Sequence, residues 1–397
     1  MNSNIQALAG IARRKERMII GLMSGTSLDG LDIALCKISG HGRATNVTLL
    51  KFDTVPYSEE VKSRIREVFA KPQVNFQRLC ELNAWIGRLH GDLVLGRLKK
   101  WKIKPATVDI IASHGQTVFH SPKAITAGAS IDSTFQAGDG DHVAVTSGII
   151  TLSDFRQKHI ATGGEGAPLA VYGDYLLFSK KGEDRIMLNI GGIGNFTYLP
   201  GSVDPSKVFV SDTGPGNTLI DQAVQKHRPG MHFDKDSNIA KSGRINNKLL
   251  QALAADKFFE LPFPKTTGPE LFNLTYLDRA MEQTQTTSIS LEDMLATLTR
   301  FSAETIANGI KRVVKSRKAK VYLSGGGAHN PLMLEGIKSI LPNLAFHETG
   351  ELGIPGDAKE AVLFAVLANE SLAGGKLNFG RRSKVPTVSM GKISFPE

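Results

Sequence analysis

The sequence predicts an α/β protein made of two units that share one structural grammar. Two runs, Met23-Ser-Gly-Thr-Ser-Leu-Asp-Gly-Leu-Asp32 and Leu188-Asn-Ile-Gly-Gly-Ile-Gly-Asn-Phe-Thr197, each place a glycine- and hydroxyl-rich turn between two apolar strands. Strand-like and helix-like periodicities alternate in both halves of the chain. A length of 397 residues, with 41% hydrophobic and 22% charged side chains, suffices for two domains that each bury a core.

In the first half, apolar runs at Met18–Met23, Leu31–Ile38, Val47–Phe52 and Val108–Ala112 read as strands. Helical spacing marks Ser58–Ala70 and Phe76–Trp101. A second set opens near Gly148, with strands at Arg185–Ile190, Phe196–Leu199 and Val208–Ser211 and a helix from Asn217. A long helical pattern covers Leu291–Ser316, followed by a strand at Ala319–Ser324 and an amphipathic run Leu332–Ile340. The recurrence suggests a duplicated architecture with a cleft. The expected boundaries are a disordered extension at 1–17, a first domain at 18–147 plus 357–397, and a second at 148–356.

Both glycine turns are built to hold phosphate. Asp29-Gly30 is a dipeptide that a tight hairpin with positive φ prefers, so the first run reads as strand-turn-strand. A Walker-type loop needs a following helix and a Gly-Lys-Ser/Thr ending, and neither is present. Backbone N–H groups around Gly25, Thr26, Ser27, Leu28 and Gly30, and around Gly191, Gly192, Gly194 and Asn195, are candidates to embrace phosphate oxygens. A third cluster, Gly325-Gly326-Gly327-Ala-His-Asn330-Pro, lies between a strand and a helix, where backbone can approach a ligand closely. Asp29 and Asp32 are candidates to orient Mg²⁺ through water, because magnesium dehydrates reluctantly.

Polar residues also follow the strands. His114, Gln116 and Thr117 come directly after Val108–Ala112, and Asp212 after Val208–Ser211, where parallel sheets tend to bind ligands. Net charge is +10, but the basic clusters Lys99–Lys104, Lys311–Lys320 and Arg381–Lys384 carry no interleaved aromatics, and aromatic content is 7%, which argues against nucleic acid. No apolar run reaches the roughly 20 residues of a membrane span, so no membrane partner is expected. Cys36 and Cys80 read as buried small hydrophobes, and their scarcity suits a reducing cytoplasm.

The order of the three glycine turns resembles the sugar kinase, heat-shock 70 and actin superfamily. Within it, Gly21-Leu-Met-Ser-Gly-Thr-Ser-Leu-Asp-Gly-Leu-Asp32, Ser113-His-Gly-Gln-Thr-Val-Phe-His120, Gly163-Gly-Glu-Gly-Ala-Pro-Leu169, Asp212-Thr-Gly-Pro-Gly-Asn217 and the 325–331 run are similar to the anhydro-N-acetylmuramic acid kinases. The resemblance implies a two-domain actin-like ATPase with ribonuclease H-like duplicated units, in which 357–373 crosses back to the first unit. It further implies ATP and Mg²⁺ as cofactors and an anhydro sugar as substrate; closure of the cleft is expected because stray water would hydrolyse ATP, and a homodimer is among the expected partners. ATP would meet the three glycine turns, Leu31 and Asp32 included. The sugar would meet His114, Gln116, Thr117, Gly163, Gly164, Asp212 and Glu360.

The implied reaction opens the 1,6-anhydro bridge of anhydro-N-acetylmuramic acid with water and moves the γ-phosphoryl group of ATP to O6. In this sequence the family's catalytic aspartate position falls on His159 and its usual glutamine on Glu165, which makes these two the catalytic candidates. Ser237 stands where the family usually has glycine, and Pro269 where it usually has arginine. A neutral imidazole accepts a proton near pH 7 but supplies no negative charge to an oxocarbenium-like centre. The alternative expectations are a member acting on another anhydro sugar of the levoglucosan kind, or one that binds sugar and nucleotide without turnover.

Overall fold

The computed structural model describes residues 2–123, 126, 128–314, 318–375, 377–380 and 385–397. Two compact units emerge, Met1–Phe178 together with Ala358–Glu397, and Ser179–Asp357.

The first unit opens with helix α1 (Ser3–Arg13), capped by the Asn2 carboxamide, which accepts from the Asn4 amide at 2.8 Å. A disordered extension was expected at 1–17; instead the helix leads straight into the first strand. Strands β1 (Glu16–Ser24), β2 (Gly30–Ser39) and β3 (Asn46–Pro56) form an antiparallel meander. Helix α2 (Glu59–Arg66) and the long α3 (Phe76–Trp101) follow. Asn75 caps α3 by accepting from the Arg78 amide, and Lys102 ends it in the left-handed region. Leu82, Ile86, Val94 and Leu98 form one buried stripe of α3 at four-residue spacing, with His90 as its polar member.

Next come β4 (Ile110–Ser121), β5 (Ser133–Ala137), α4 (Gly140–Ser147), β6 (Thr151–Ser153), α5 (Phe155–Ala161) and α6 (Ala170–Phe178). β4 lies parallel to β1, and β6 parallel to β4.

The second unit contains β7 (Asp184–Ile190), β8 (Ile193–Leu199), β9 (Phe209–Pro215), α7 (Thr218–His227), α8 (Asn247–Ala254), α9 (Leu274–Thr284), α10 (Leu291–Val314), β10 (Ala319–Ser324), α11 (Pro331–Ile340) and β11 (Ala345–Glu348). Its sheet runs β11-β10-β7-β8-β9, antiparallel across β7-β8-β9 and parallel across β7-β10-β11. The first unit repeats this order as β6-β4-β1-β2-β3. Here lies the expected duplication: a three-strand meander followed by two parallel strands, twice. Ile186, Leu188, Ile190, Phe196, Phe301 and Ile306 head the core of the second unit, each fully buried. Burial of such side chains contributes about 1.5–3 kcal/mol apiece.

The chain then returns to the first unit through α12 (Lys359–Ala373) and β12 (Lys392–Ser394), the latter antiparallel to β6. Every residue of α12 from Ala361 to Glu370 is buried. A Cβ on Gly21 would stand 1.8 Å from the Ala361 carbonyl oxygen, so glycine lets α12 lie directly on β1. Buried Arg17 fixes this seat, donating from Nε to Asn369 Oδ1 at 2.7 Å and from Nη2 to the Gly40 carbonyl at 2.9 Å.

The expected first boundary at 147/148 falls at 178/179, because β6 completes the first sheet and α6 packs on α12. A Cβ on Gly173 would meet Leu363 Cδ1 at 2.5 Å. Cys36 is buried as expected, whereas Cys80 is exposed on the outer face of α3. The basic cluster Arg381–Lys384 lies outside the described residues, as does part of Lys311–Lys320. No described helix is long and apolar enough to cross a membrane.

Candidate active site

In the first unit the loop between β1 and β2 spans Gly25–Asp29. The expected tight turn with positive φ at Asp29-Gly30 does not form; the left-handed residue is Leu28, at φ 57°. Gly30 is required for another reason, since a Cβ there would stand 2.3 Å from the Val55 carbonyl oxygen on β3. Thr26 and Ser27 are exposed on the loop, Leu28 is buried beneath it, and Leu31 is buried in β2. Ser27 Oγ donates to Asp29 Oδ1 at 2.7 Å, and Thr54 Oγ1 to Asp32 Oδ1 at 2.6 Å. Asp29 is exposed and Asp32 half-buried, so both carboxylates reach water.

The run after β4 behaves differently from its sequence reading. β4 continues to Ser121, which carries His114 and Gln116 inside the unit, 2% and 0% exposed, while Thr117 remains half-buried. Gln116 Nε2 donates to the Gly25 carbonyl at 2.8 Å and to the Thr117 carbonyl at 3.0 Å, and its Oε1 accepts from Ser24 Oγ at 2.6 Å. Its amide is thus occupied with holding the first loop. Arg156 Nε donates to His114 Nε2 at 2.8 Å, which leaves the ring proton on Nδ1, donated to the Gly115 carbonyl at 2.9 Å. Burial, reinforced by Arg156, drives the His114 pKa well below the usual imidazole range.

Arg156 sits on α5 and holds the Gly163–Gly166 turn as well. Its Nη1 donates to the Gly166 carbonyl at 2.8 Å, while the Gly166 amide donates to His159 Nδ1 at 3.0 Å. One peptide segment is gripped from both sides by two side chains of one helix. His159 is 2% exposed, and burial, then Arg156, lowers its pKa to about 4. With Nδ1 accepting, the proton lies on Nε2, which is buried and has no hydrogen-bond partner among the described residues. The ring also dictates glycine at 164, where a Cβ would stand 2.2 Å from it. Gly163 is exposed at φ 91°. Glu165, next in the turn, is half-buried, and no described residue pairs with its carboxylate.

Glu360 lies in the first turn of α12. Its side chain is solvent-accessible, yet surrounding protein raises its pKa, with Arg156 and Lys359 opposing that rise.

In the second unit three of the sequence motifs converge. The β7–β8 hairpin closes over Gly191-Gly192, and its carbonyls turn toward α7: the Gly216 and Thr218 amides donate to the Gly192 oxygen at 2.8 and 3.1 Å, and the Asn217 amide to the Gly191 oxygen at 2.9 Å. This hairpin therefore satisfies the helix start, with Gly192 exposed at its tip. A Cβ on Gly194 would clash with Ile306 and with Thr213 Oγ1, which donates to the Gly194 carbonyl at 2.8 Å. Asn195 pairs with Asn189 across β7 and β8.

The third glycine turn abuts the same hairpin. A Cβ on Gly325 would meet Asn189 Oδ1 and the Ile190 oxygen at 2.7 Å, and one on Gly327 would meet Ile190 Cγ2 at 2.3 Å. Gly326 faces Asn217 Nδ2 at 4.0 Å from its own ideal Cβ position. Asn330 caps α11, with Oδ1 accepting from the Met333 amide at 2.9 Å and from Ser237 Oγ at 2.6 Å. Ser237, fully buried, holds φ 56° beside Asp236 at φ 55°.

Asp212 was expected just past a strand ending at Ser211; β9 instead runs on to Pro215, which puts Asp212 midway along it, opposite Asn195. Asp212 Oδ2 accepts from the Thr267 amide at 2.8 Å, and burial raises its pKa to about 6 despite that bond. Behind it, Lys265 is 8% exposed, donates to the Phe258 carbonyl at 2.7 Å, and lies 4.1 Å from the Phe258 ring centre.

The model of the family described as anhydro-N-acetylmuramic acid kinase matches residues 17–379. The chain belongs to the anhydro-N-acetylmuramic acid kinase family. Curated relatives of that name include a protein of Pseudoalteromonas atlantica, 54% identical over 100% of both chains, and one of Pseudoalteromonas translucida, 50% identical over 100% of both. A Caldanaerobacter subterraneus protein of the same name is 39% identical over 98% of this chain and 99% of its own. Like others of the anhydro-N-acetylmuramic acid kinase family, the chain is a carbohydrate kinase that uses ATP.

Sequence reasoning missed Arg156 and Lys265 as site residues. Arg156 stood inside the Asp154-Phe-Arg run, three residues past the end of β6, and that position was its signal. Lys265 had none, since only the fold brings it behind Asp212. Among the described residues no three His, Cys, Asp or Glu side chains cluster to hold a metal. Asp29, exposed, and Asp32, half-buried, would suit a magnesium ion that keeps most of its waters.

Proposed function

We propose that this kinase opens 1,6-anhydro-N-acetylmuramic acid with water and phosphorylates O6, giving N-acetylmuramic acid 6-phosphate and ADP. The match of the family model across residues 17–379 carries the reading. The Gly25–Asp29 loop and the joined Gly191 and Gly325 turns support it as phosphate and nucleotide holders. Asp29 and Asp32 would hold Mg²⁺ through water, and the ion supplies positive charge to the phosphate oxygens.

His159 takes a positioning part in this proposal. Its lone pair on Nδ1 is spent on the Gly166 amide, so it holds the Gly163–Gly166 turn rather than accepting a proton from water. Glu165 in that turn is the carboxylate we assign to activating water and to facing the positive charge at the anomeric carbon. Asp212, Thr117 and Glu360 are assigned to the sugar, with Arg156 fixing the turn and facing Glu360 electrostatically.

Incubation with ATP, Mg²⁺ and the anhydro sugar tests the whole reading, with ADP and the 6-phosphosugar expected in equal amounts. Tight binding of both ligands without either product overturns it in favour of a binding protein. Glu165→Gln is expected to abolish sugar-dependent ADP formation while leaving nucleotide affinity unchanged; retained turnover removes Glu165 from the mechanism.

A further inference from the structure

Beneath the first loop lies a buried chain of four side chains, and proton counting gives it a direction. Gln116 Nε2 is committed to two carbonyls, so its Oε1 is an acceptor, and the single proton of Ser24 Oγ is shared between this Oε1 at 2.6 Å and the Gly30 carbonyl at 3.0 Å. Ser24 Oγ must then accept, and Tyr57 Oη donates to it at 2.9 Å. With its proton so used, the Tyr57 oxygen accepts from His90 Nε2 at 2.8 Å. The order is therefore His90 to Tyr57 to Ser24, then from Ser24 to Gln116 and the Gly30 carbonyl, with Gln116 donating on to the Gly25 carbonyl.

Every member is buried: Tyr57 is 5% exposed, Ser24 1%, His90 and Gln116 0%. Burial lowers the His90 pKa to about 3, which keeps the ring neutral and a single-proton donor. Tyr57 also holds the far foot of the loop, because its backbone amide donates to the Asp29 carbonyl at 3.0 Å. One residue thus spans both ends of Gly25–Asp29, reaching Ser24 with its side chain and Asp29 with its main chain. His90 occupies the core-facing stripe of α3, where Leu82, Ile86, Val94 and Leu98 would predict another aliphatic residue. A polar group there incurs a desolvation cost that the bond from Nε2 to Tyr57 offsets only in part, since Nδ1 is buried with no hydrogen-bond partner among the described residues.

We propose that Tyr57 and His90 are positioning residues for nucleotide: through Ser24 and Gln116 they fix the Gly25–Asp29 loop in its phosphate-ready form before ATP arrives. The inference rests on the reading of this loop as a phosphate holder. Such preorganisation removes an ordering cost from nucleotide binding.

The test compares the wild-type enzyme with Tyr57→Phe, His90→Leu and His90→Gln, measuring affinity for a non-hydrolysable β,γ-imido analogue of ATP, KM for ATP and for sugar, and Tm. Tyr57→Phe and His90→Leu are expected to weaken analogue binding and raise KM for ATP about fivefold, the equivalent of one net hydrogen bond, with KM for sugar unchanged. His90→Gln, whose amide nitrogen takes the place of Nε2, is expected to stay near wild type. The proposal is overturned if Tyr57→Phe and His90→Leu fold and bind the analogue like wild type, or if both KM values rise together as Tm falls. Should Tyr57→Phe fail to fold, the His90→Leu and His90→Gln pair decides alone. Failure of the wild type to bind the analogue overturns the parent reading and this one with it, an outcome separate from any variant.

Discussion

His159 Nδ1 accepts the Gly166 amide proton at 3.0 Å, across a turn whose other side Arg156 holds through the Gly166 carbonyl. An asparagine carbonyl can replace that acceptor, whereas leucine cannot. His159→Asn is therefore expected to keep sugar-dependent turnover within about tenfold of wild type, and His159→Leu to lose at least a further hundredfold by displacing the turn about 1 Å. Steady-state rates of the two variants check this, and equal rates would free His159 from the positioning role.

The same ring sets a pH dependence. Its folded pKa of about 4 lies below the ordinary 6.5, so between these values the unfolded chain binds the proton and the folded chain does not. The neutral ring's contribution is fully present above pH 6.5 and is lost as pH falls toward 4. Relative to His159→Asn, which has no such proton, wild type is expected to lose about 3 kcal/mol of stability across that window, near 1.4 kcal/mol per pH unit. Denaturant unfolding of both proteins at pH 7, 5.5 and 4 measures the difference.

Asp212 shifts in the opposite sense. Burial raises its pKa to about 6, so its carboxylate is fully charged only above that value. If the charged form holds the sugar, KM for sugar rises as pH drops below 6 while KM for ATP stays level, and Asp212→Asn gives a weak but pH-independent KM. A wild-type sugar KM that is flat from pH 5 to 8 would detach Asp212 from the substrate.

Ser237 carries backbone strain that a glycine at this position would not. The left-handed conformation costs a non-glycine residue about 1–2 kcal/mol, while the bond from Ser237 Oγ to Asn330 contributes about 1 kcal/mol. Ser237→Gly, trading one for the other, is expected to be near neutral. Ser237→Ala keeps the strain and loses the bond, and is expected to be less stable than Ser237→Gly by more than about 1 kcal/mol in urea unfolding.

The legible parts of this molecule were those with a long period or a paired signal. α3 was readable from end to end, because Asn75 caps it and apolar residues recur through 26 positions. α6 was not, since seven of its nine residues are buried and no polar face marks a period. β6 and β12, three residues each, exist through pairing rather than through any local preference.

At the site, the glycine turns were legible as turns, but the reasons for individual glycines were not. Gly30 serves the approach of Val55, and Gly164 the ring of His159, contacts remote in sequence or set by the fold. His114 and Gln116 looked like ligand-facing residues beyond a strand end; the strand runs on, and both side chains point into hydrogen-bonded interior positions. Cys80 looked buried because its neighbours on α3 are amphipathic, yet it falls on the exposed face.

Gly21 gives the sharpest steric test. An added methyl would lie 1.8 Å from the Ala361 oxygen, backbone that has no flexible side chain to yield. Gly21→Ala is expected to unseat α12 and cost more than about 4 kcal/mol, seen as loss of the cooperative unfolding transition. A wild-type Tm would show that α12 has another resting place.

That seating of α12 on β1 also orders events during synthesis. Residues 179–357 form one uninterrupted unit and can complete their fold while the ribosome still holds the rest, but the other unit must wait for residues 358–397 to leave the exit tunnel. Until then β1 exposes a bare apolar face at Gly21, so a nascent or prematurely terminated chain carries a finished insert within an unfinished host. Residues 359–373 are therefore where the first strand finds its cover, and a nonsense mutation that removes them should leave a chaperone client rather than a shortened enzyme.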